Sequence, residues 1–147
     1  MSTQTVAEAF AAAWQDADVT TLTALAADNF TFSGAVPEPL PLPPVIGLIL
    51  TLKHAFPNLQ YNAQVQRVEG SVAHLAPRVT GTHTADLDLT PMGMGVIPAT
   101  GISINLPQEM ARITVEAEKV VNYHIDPVPG GGLPGILAQV GVAAHPS

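Results

Sequence analysis

Residues 59–84 read LQYNAQVQRVEGSVAHLAPRVTGTHT, and here the hydrophobic pattern changes its period. Tyr61, Ala63, Val65 and Arg67 alternate with Gln60, Asn62, Gln64 and Gln66 from Leu59 to Glu69. A period of two is what a strand with unlike faces produces. Gly70-Ser71 turns the chain into Val72–Thr84, a second long strand. Pro77 inside it marks an edge or a bulge, because proline has no N–H for a ladder. A hairpin of this kind needs cover on its apolar face, and the rest of the chain has to supply it.

The cover comes from the N-terminal side. Ser2 or Thr3 can cap a first helix whose Val6, Phe10 and Trp14 fall on one stripe. Asp18 can cap a second, with Leu22, Leu25 and Ala26 repeating the stripe, and Asn29–Phe32 is a short strand ending at Ser33-Gly34. Five prolines between Pro37 and Pro44 exclude a helix or a central strand there. Pro43-Pro44 then opens a third helix, apolar on nearly every side and stopped by Pro57. After the hairpin, Ala85–Thr100 reads as a loop or irregular hairpin, Ile102–Val115 as a strand broken near Pro107, and Lys119–Asp126 as the last strand. Gly130-Gly131-Gly132 is a joint before an apolar tail, Leu133–Val142, with the makings of a short helix. Helices first and antiparallel strands afterwards predict one α+β domain over residues 1–147. Its curved antiparallel sheet, a cone closed by the N-terminal helices, is expected to enclose a mostly apolar pocket for a hydrophobic small molecule.

Composition excludes several functions. The five bases, Lys53, Arg67, Arg78, Arg112 and Lys119, are scattered through a chain of net charge −7, so no basic stripe favours nucleic acid or an anionic membrane. Cysteine is absent, which removes disulfides, thiolate nucleophiles and cysteine metal sites. The histidines at 54, 74, 83, 124 and 145 lack metal-ligand spacing, and there is no Gly-x-Ser-x-Gly elbow or phosphate loop. Neither cofactor nor metal is expected. Met1–Phe10 has no signal-peptide pattern, which makes a cytoplasmic location the expectation. Charged residues are only 12% of the chain, so part of the surface is expected to be covered by a second copy, as a homodimer through the sheet.

The order of several short motifs resembles a known family. Phe56-Pro57-Asn58-Leu59, Val68-Glu69-Gly70, Thr80-Gly81-Thr82-His83-Thr84, Ala99-Thr100-Gly101, Lys119-Val120-Val121 and Asp126 with Gly135–Gly141 follow one another as in the SnoaL-like polyketide cyclases. Ala11-Ala12-Ala13-Trp14 with Asp18 is similar to the opening of the wider nuclear-transport-factor-like (cystatin-like) superfamily. The resemblance implies the cone fold and, in the cyclases, a cofactor-free aldol ring closure. It also implies an acid/base aspartate on the last strand and a nearby histidine. Two departures stand out: Gln108–Arg112 offers no histidine where the cyclases place one, and Asn122-Tyr123-His124 replaces a frequent tryptophan.

On the last strand Asn122, His124 and Asp126 share one face, and Val121, Tyr123 and Ile125 the other. If the polar face looks into the cavity, Asp126 is the base, its pKa raised by apolar surroundings, with His124 as hydrogen-bond partner. Otherwise Asp126, followed by Pro127, begins a turn. His83 is either a ligand contact and catalytic partner or a structural strand histidine. Met92 and Met94, with Leu87, Leu89, Val96 and Ile97, form an adaptable apolar segment, either a lid or a core or dimer hairpin. Trp14, Phe30, Phe56, Asn122, Met92 and Met94 are the expected pocket lining. The functional expectation is acid/base catalysis on a hydrophobic carbonyl compound. Its alternatives are a non-catalytic small-molecule binding protein and an interaction module.

Overall fold

The computed structural model describes residues 2–34, 38–90 and 95–140. Helix α1, Thr3–Asp16, begins where the Ser2 hydroxyl accepts a hydrogen bond from the Thr5 N–H at 3.1 Å. It ends at Ala17, whose left-handed φ of 54° stops the helical path. Asp18 caps α2, Val19–Leu25, by accepting from the Thr21 N–H at 3.2 Å. The chain passes directly into β1, Ala26–Ser33, and later into α3, Leu42–Ala55, with Pro43 and Pro44 in a first turn that needs no N–H from them.

The decisive hairpin is present but shorter than the alternation predicts. Strands β2, Val65–Glu69, and β3, Val72–Leu75, pair antiparallel across a turn in which Gly70 takes a φ of +61°. Tyr61–Gln64 stays off the ladder because α1 satisfies its neighbourhood instead: Gln15 accepts from the Tyr61 N–H at 2.7 Å and donates to the Leu59 carbonyl at 2.6 Å. Asn62, at φ 53°, completes the detour. The second long strand divides at Pro77, leaving β4, Thr80–Thr82, as a separate piece.

Beyond it lie β5, Leu87–Asp88, β6, Val96–Ile97, and β7, Ser103–Asn105. Pro107 breaks the next strand as expected, and β8, Met110–Glu116, and β9, Lys119–Asp126, form the longest ladder. The main sheet has the order β1-β9-β8-β3-β2. Its pairs are antiparallel except that β1 runs parallel to β9, which the sequence reading of an all-antiparallel sheet did not include. Strands β4 and β7 form a second small sheet, and β5 and β6 a third, so residues 85–100, expected as a loop or irregular hairpin, carry a short hairpin. Met92 and Met94, at its centre, lie outside the described residues. The apolar tail does become a helix, α4, Gly132–Gln139.

Helix α1 lies across β2, β3, β8 and β9 on the inner face of the curved sheet. Phe10, Trp14, Phe30, Phe32 and Tyr123 interlock there, with Trp14 edge-on to Tyr123 at 4.8 Å and Phe10 at 5.6 Å from Phe30. Such tilted pairs contribute beyond the area they bury. A second cluster, built from Leu52, Phe56, Leu59, Leu87, Leu89, Ile104, Leu106, Ile136 and Val140, joins α3 and α4 to the small sheets. Among the described residues no helix is long and apolar enough to cross a membrane.

Truncating the centre of the first cluster tests this account. Phe10 is fully buried, and Phe10→Ala is expected to lower the unfolding free energy by about 3–5 kcal/mol in urea denaturation. Val19→Ala, at a position 37% exposed, should cost under about 0.5 kcal/mol.

Candidate functional site

Alternation along β8 and β9 divides their side chains between two environments. Ala111, Ile113 and Val115 face inward beneath α1, and so does Tyr123, the register partner of Ile113. Arg112 faces outward, and so does its partner His124. The polar face of the last strand therefore does not look into the interior. Asp126 lies on the outer side of the sheet with its side chain 53% exposed, and Asn122 and His124 lie there too, half-buried.

The outer residues are joined in a row. Ser33, His124, Arg112, His74 and Arg67 occupy successive register positions across β1, β9, β8, β3 and β2. One ring nitrogen of His124, Nδ1, is 2.8 Å from the Ser33 hydroxyl, and the other is 3.1 Å from Asp126, which Arg112 approaches at 3.6 Å. Glu69 makes the matching pair of contacts to His74 at 2.9 Å and Arg67 at 3.2 Å. Asn122 donates to the Thr31 carbonyl and to the Thr31 and Ser33 hydroxyls, which ties β9 to β1. The expected partnership of Asp126 and His124 thus exists, on a solvent-facing surface where exposed ion pairs contribute little to stability.

The inner face holds a carboxylate that the sequence reading did not select. Glu109 precedes β8 by one residue and continues its inward alternation, with its backbone N–H bonded to the Pro77 carbonyl at 2.9 Å. Glu109 is 5% exposed, and its carboxylate, which makes no hydrogen bond to the described residues, keeps a small opening to solvent. Burial raises its pKa above the ordinary glutamate value. The buried Tyr123 is close by, and the half-buried Tyr61 is near Tyr123 in turn. Burial pushes the pKa of Tyr61 up, against the opposing effect of a hydrogen bond with Trp14. Burial also raises that of Tyr123, and the nearby Tyr61 and Glu109 raise it further. Glu109 was legible only as a single acid beside Pro107 in Gln108–Arg112. The signal that finds it is its odd-numbered phase with Ala111 and Ile113.

The remaining expected residues are divided. Trp14 and Phe30 sit in the inner aromatic cluster, close to Tyr123, whereas Phe56 belongs to the second cluster. His83 is fully buried, stacked on Phe56 at 5.1 Å, with Nδ1 2.9 Å from the Thr100 hydroxyl. Its Nε2 has no partner among the described residues. His83 is thus apart from Asp126 and His124, and no contact joins the three. Two shallow depressions lie open on the surface. One, of about 430 Å³, lies between Ala26–Asn29 and Glu116–Lys119, and the other, of about 500 Å³, between α1 and Gln60–Val65. Neither is bordered by Glu109. Among the described residues no three His, Asp or Glu side chains are placed to hold a metal ion.

The arrangement of helices on a curved, open sheet occurs in other solved structures. A SnoaL-like candidate polyketide cyclase from Jannaschia sp. CCS1 aligns over 95% of this chain and 88% of its own, with 16% identity and a TM-score of 0.66. The chain has the SnoaL-like, cystatin-like fold. AclR from Streptomyces galilaeus, a candidate hydroxylase, aligns over 95% of both chains with 18% identity and a TM-score of 0.70. A Xanthomonas campestris protein of unknown function with a cystatin-like fold aligns over 85% of this chain and 89% of its own, at 14% identity and a TM-score of 0.59. No family model matches the sequence, and no curated protein does. At these identities the SnoaL-like scaffold is what the neighbours share with this chain, and a cyclase and a hydroxylase description fall on the same scaffold.

The raised pKa of Glu109 has a consequence for stability. The folded chain holds that proton to higher pH than the unfolded chain does. The contribution is complete below the ordinary glutamate range, about 4.3, and is lost as pH rises through the raised folded value. Glu109→Gln is therefore expected to gain stability relative to the unmodified chain as pH rises from about 4 to 7, measured by urea denaturation across that range.

Proposed function

We propose that this SnoaL-like chain is a cofactor-independent acid/base enzyme acting on a hydrophobic carbonyl compound, with Glu109 as the group that moves the proton. One observation carries the reading: a largely buried carboxylate, its pKa raised by burial, near the buried phenol of Tyr123 on the inner face of the sheet. A carboxylate whose pKa is raised by burial is a stronger base for removing a proton next to a carbonyl than a solvated one. The Glu109 oxygen takes the proton, and the electron pair of the broken C–H bond moves into an enolate. A phenol O–H, from Tyr123 or Tyr61, donates to the developing oxyanion. The enolate carbon then either takes a proton back at another position, an isomerisation, or attacks a second carbonyl carbon and closes a ring. Phe10, Trp14 and Phe30 belong to the same inner cluster as Tyr123, so the surroundings of that phenol are apolar and favour a greasy substrate. The cyclase description of a neighbour on this fold supports the same class of chemistry.

Asp126 and His124 take a different part in this reading. With Arg112, His74, Arg67 and Glu69 they form an outer surface of interleaved positive and negative side chains, which suits a second copy turned about a two-fold axis. The low share of charged residues supports such cover. Arg112→Glu is expected to shift the chain toward monomer in sedimentation velocity, with Val19→Ala unchanged.

The catalytic reading is tested with hydrophobic methyl ketones and β-diketones in deuterium oxide, following deuterium uptake at the carbon next to the carbonyl by NMR. Glu109→Gln should slow enzyme-dependent uptake by about a hundredfold to ten-thousandfold, and Asp126→Asn should leave it within about twofold. Binding of the same ketones with no uptake above background would instead support a non-catalytic binding protein.

A further inference from the structure

Glu109 is almost sealed from solvent, so a substrate can reach it only if one of its neighbours moves. On the sheet side it is held by the ladder of β8 and β9, and next to that ladder lies the interlocked α1. Its backbone is tied to Pro77, and against its carboxylate lies the segment that follows β9. A Cβ built on Gly131 would stand 2.9 Å from Glu109 Oε2 and 3.1 Å from its Cδ, so this glycine lies directly on the carboxylate. The same Cβ would be 3.1 Å from Val128 Cγ2, which places Val128 in the same cover. Gly131 has an ordinary φ of −96°, so the demand for glycine there comes from the approach to Glu109 and Val128 and not from the backbone.

The segment has the parts of a hinged cover. Gly130 and Gly132 flank Gly131 with φ of +83° and +67°, a left-handed pair that only glycine adopts without strain. No residue of Pro127–Val140 pairs in a sheet. The far end is held by one reciprocal latch: the Gln139 side chain accepts from the Asn105 N–H at 2.8 Å and donates to the Asn105 carbonyl at 2.9 Å. Ile136 and Val140 seat the helix on the second cluster. Each tie is local and separate from the ladder that holds Glu109. We infer that Pro127–Val140 is a gate over the inner carboxylate, swinging at Gly130 and Gly132 and latched by Gln139 on Asn105, and that its opening admits substrate to Glu109.

The inference rests on the assignment of Glu109 as the working carboxylate, so its test reads motion and access without activity. In hydrogen exchange by mass spectrometry on the full chain, residues 128–140 should exchange by local opening, ahead of β8 and β9. Gln139→Ala should raise exchange in that segment about tenfold, the factor that one to two lost hydrogen bonds supply. It should raise carbodiimide-driven labelling of Glu109 with glycinamide by a similar factor, while amides of Ile113 and Tyr123 keep their protection. Asn105→Ala should change neither, because the latch uses only the Asn105 backbone. Gly131→Ala should also increase labelling by prying the cover from the carboxylate. The gate is overturned if residues 128–140 exchange only together with β8 and β9, or if Gln139→Ala loosens the segment without exposing Glu109. Loss of the deuterium-uptake effect of Glu109→Gln would remove the catalytic reading and leave these exchange results standing.

Discussion

Trp14 against Tyr123 is the contact on which the other features depend. It joins the last full turn of α1 to the middle of β9, at 4.8 Å and nearly edge-on. Phe10, Phe30 and Phe32 complete the cluster around it. Because α1 is fixed there, Gln15 one residue further along reaches the backbone of Leu59 and Tyr61 and diverts the chain from the ladder. The same seating brings Trp14 to the phenol of Tyr61. A single aromatic contact therefore sets the helix angle, the start of β2 and the position of one wall of the candidate site.

The second constraint is the pleat. Successive side chains on β8 and β9 must point to opposite faces, so a strand that supplies Ile113 and Tyr123 to the core must send Arg112 and His124 outward. The carboxylate after His124 on that outward phase is Asp126. The inward phase of β8, followed back toward its start, reaches Glu109. Pro107 ends the preceding irregular stretch and Pro77 offers its carbonyl to the Glu109 N–H, which fixes the phase at that point. Two acids close in the ladder are thereby assigned opposite surroundings, one among ion pairs and one among phenols and aromatic rings.

Burial of the Glu109 carboxyl raises its pKa, so ionising it in the folded chain costs stability. Here the cost falls beside a glycine-rich segment whose ties are few and local. His83 is a polar group left partly unsatisfied, in the other cluster and against Phe56. Its Nδ1 bond to Thr100 holds the loop before β7 to the end of β4, a structural task that accounts for one of its two nitrogens.

The sequence by itself determined the order of elements, because the period of hydrophobic residues and the positions of proline and glycine are local properties. The stripe of Val6, Phe10 and Trp14, the caps at Ser2 and Asp18, the turn at Gly70-Ser71, the breaks at Pro77 and Pro107 and the two faces of Lys119–Asp126 all follow from neighbours a few residues apart. The α+β class was legible on that basis, and the SnoaL-like resemblance in the order of short motifs from Phe56-Pro57-Asn58-Leu59 to Gly135–Gly141. The tertiary structure decided which face of β9 looks inward, the parallel pairing of β1, and the closing of Gly131 over Glu109. Those depend on residues as far apart as Ser33 and His124, or Glu109 and Gly131. Alternation fixes that the two faces differ but not which one the helices cover. That choice belongs to the packing of α1, whose aromatic stripe buries far more apolar surface against Tyr123 and Ile113 than it could against Asn122 and His124.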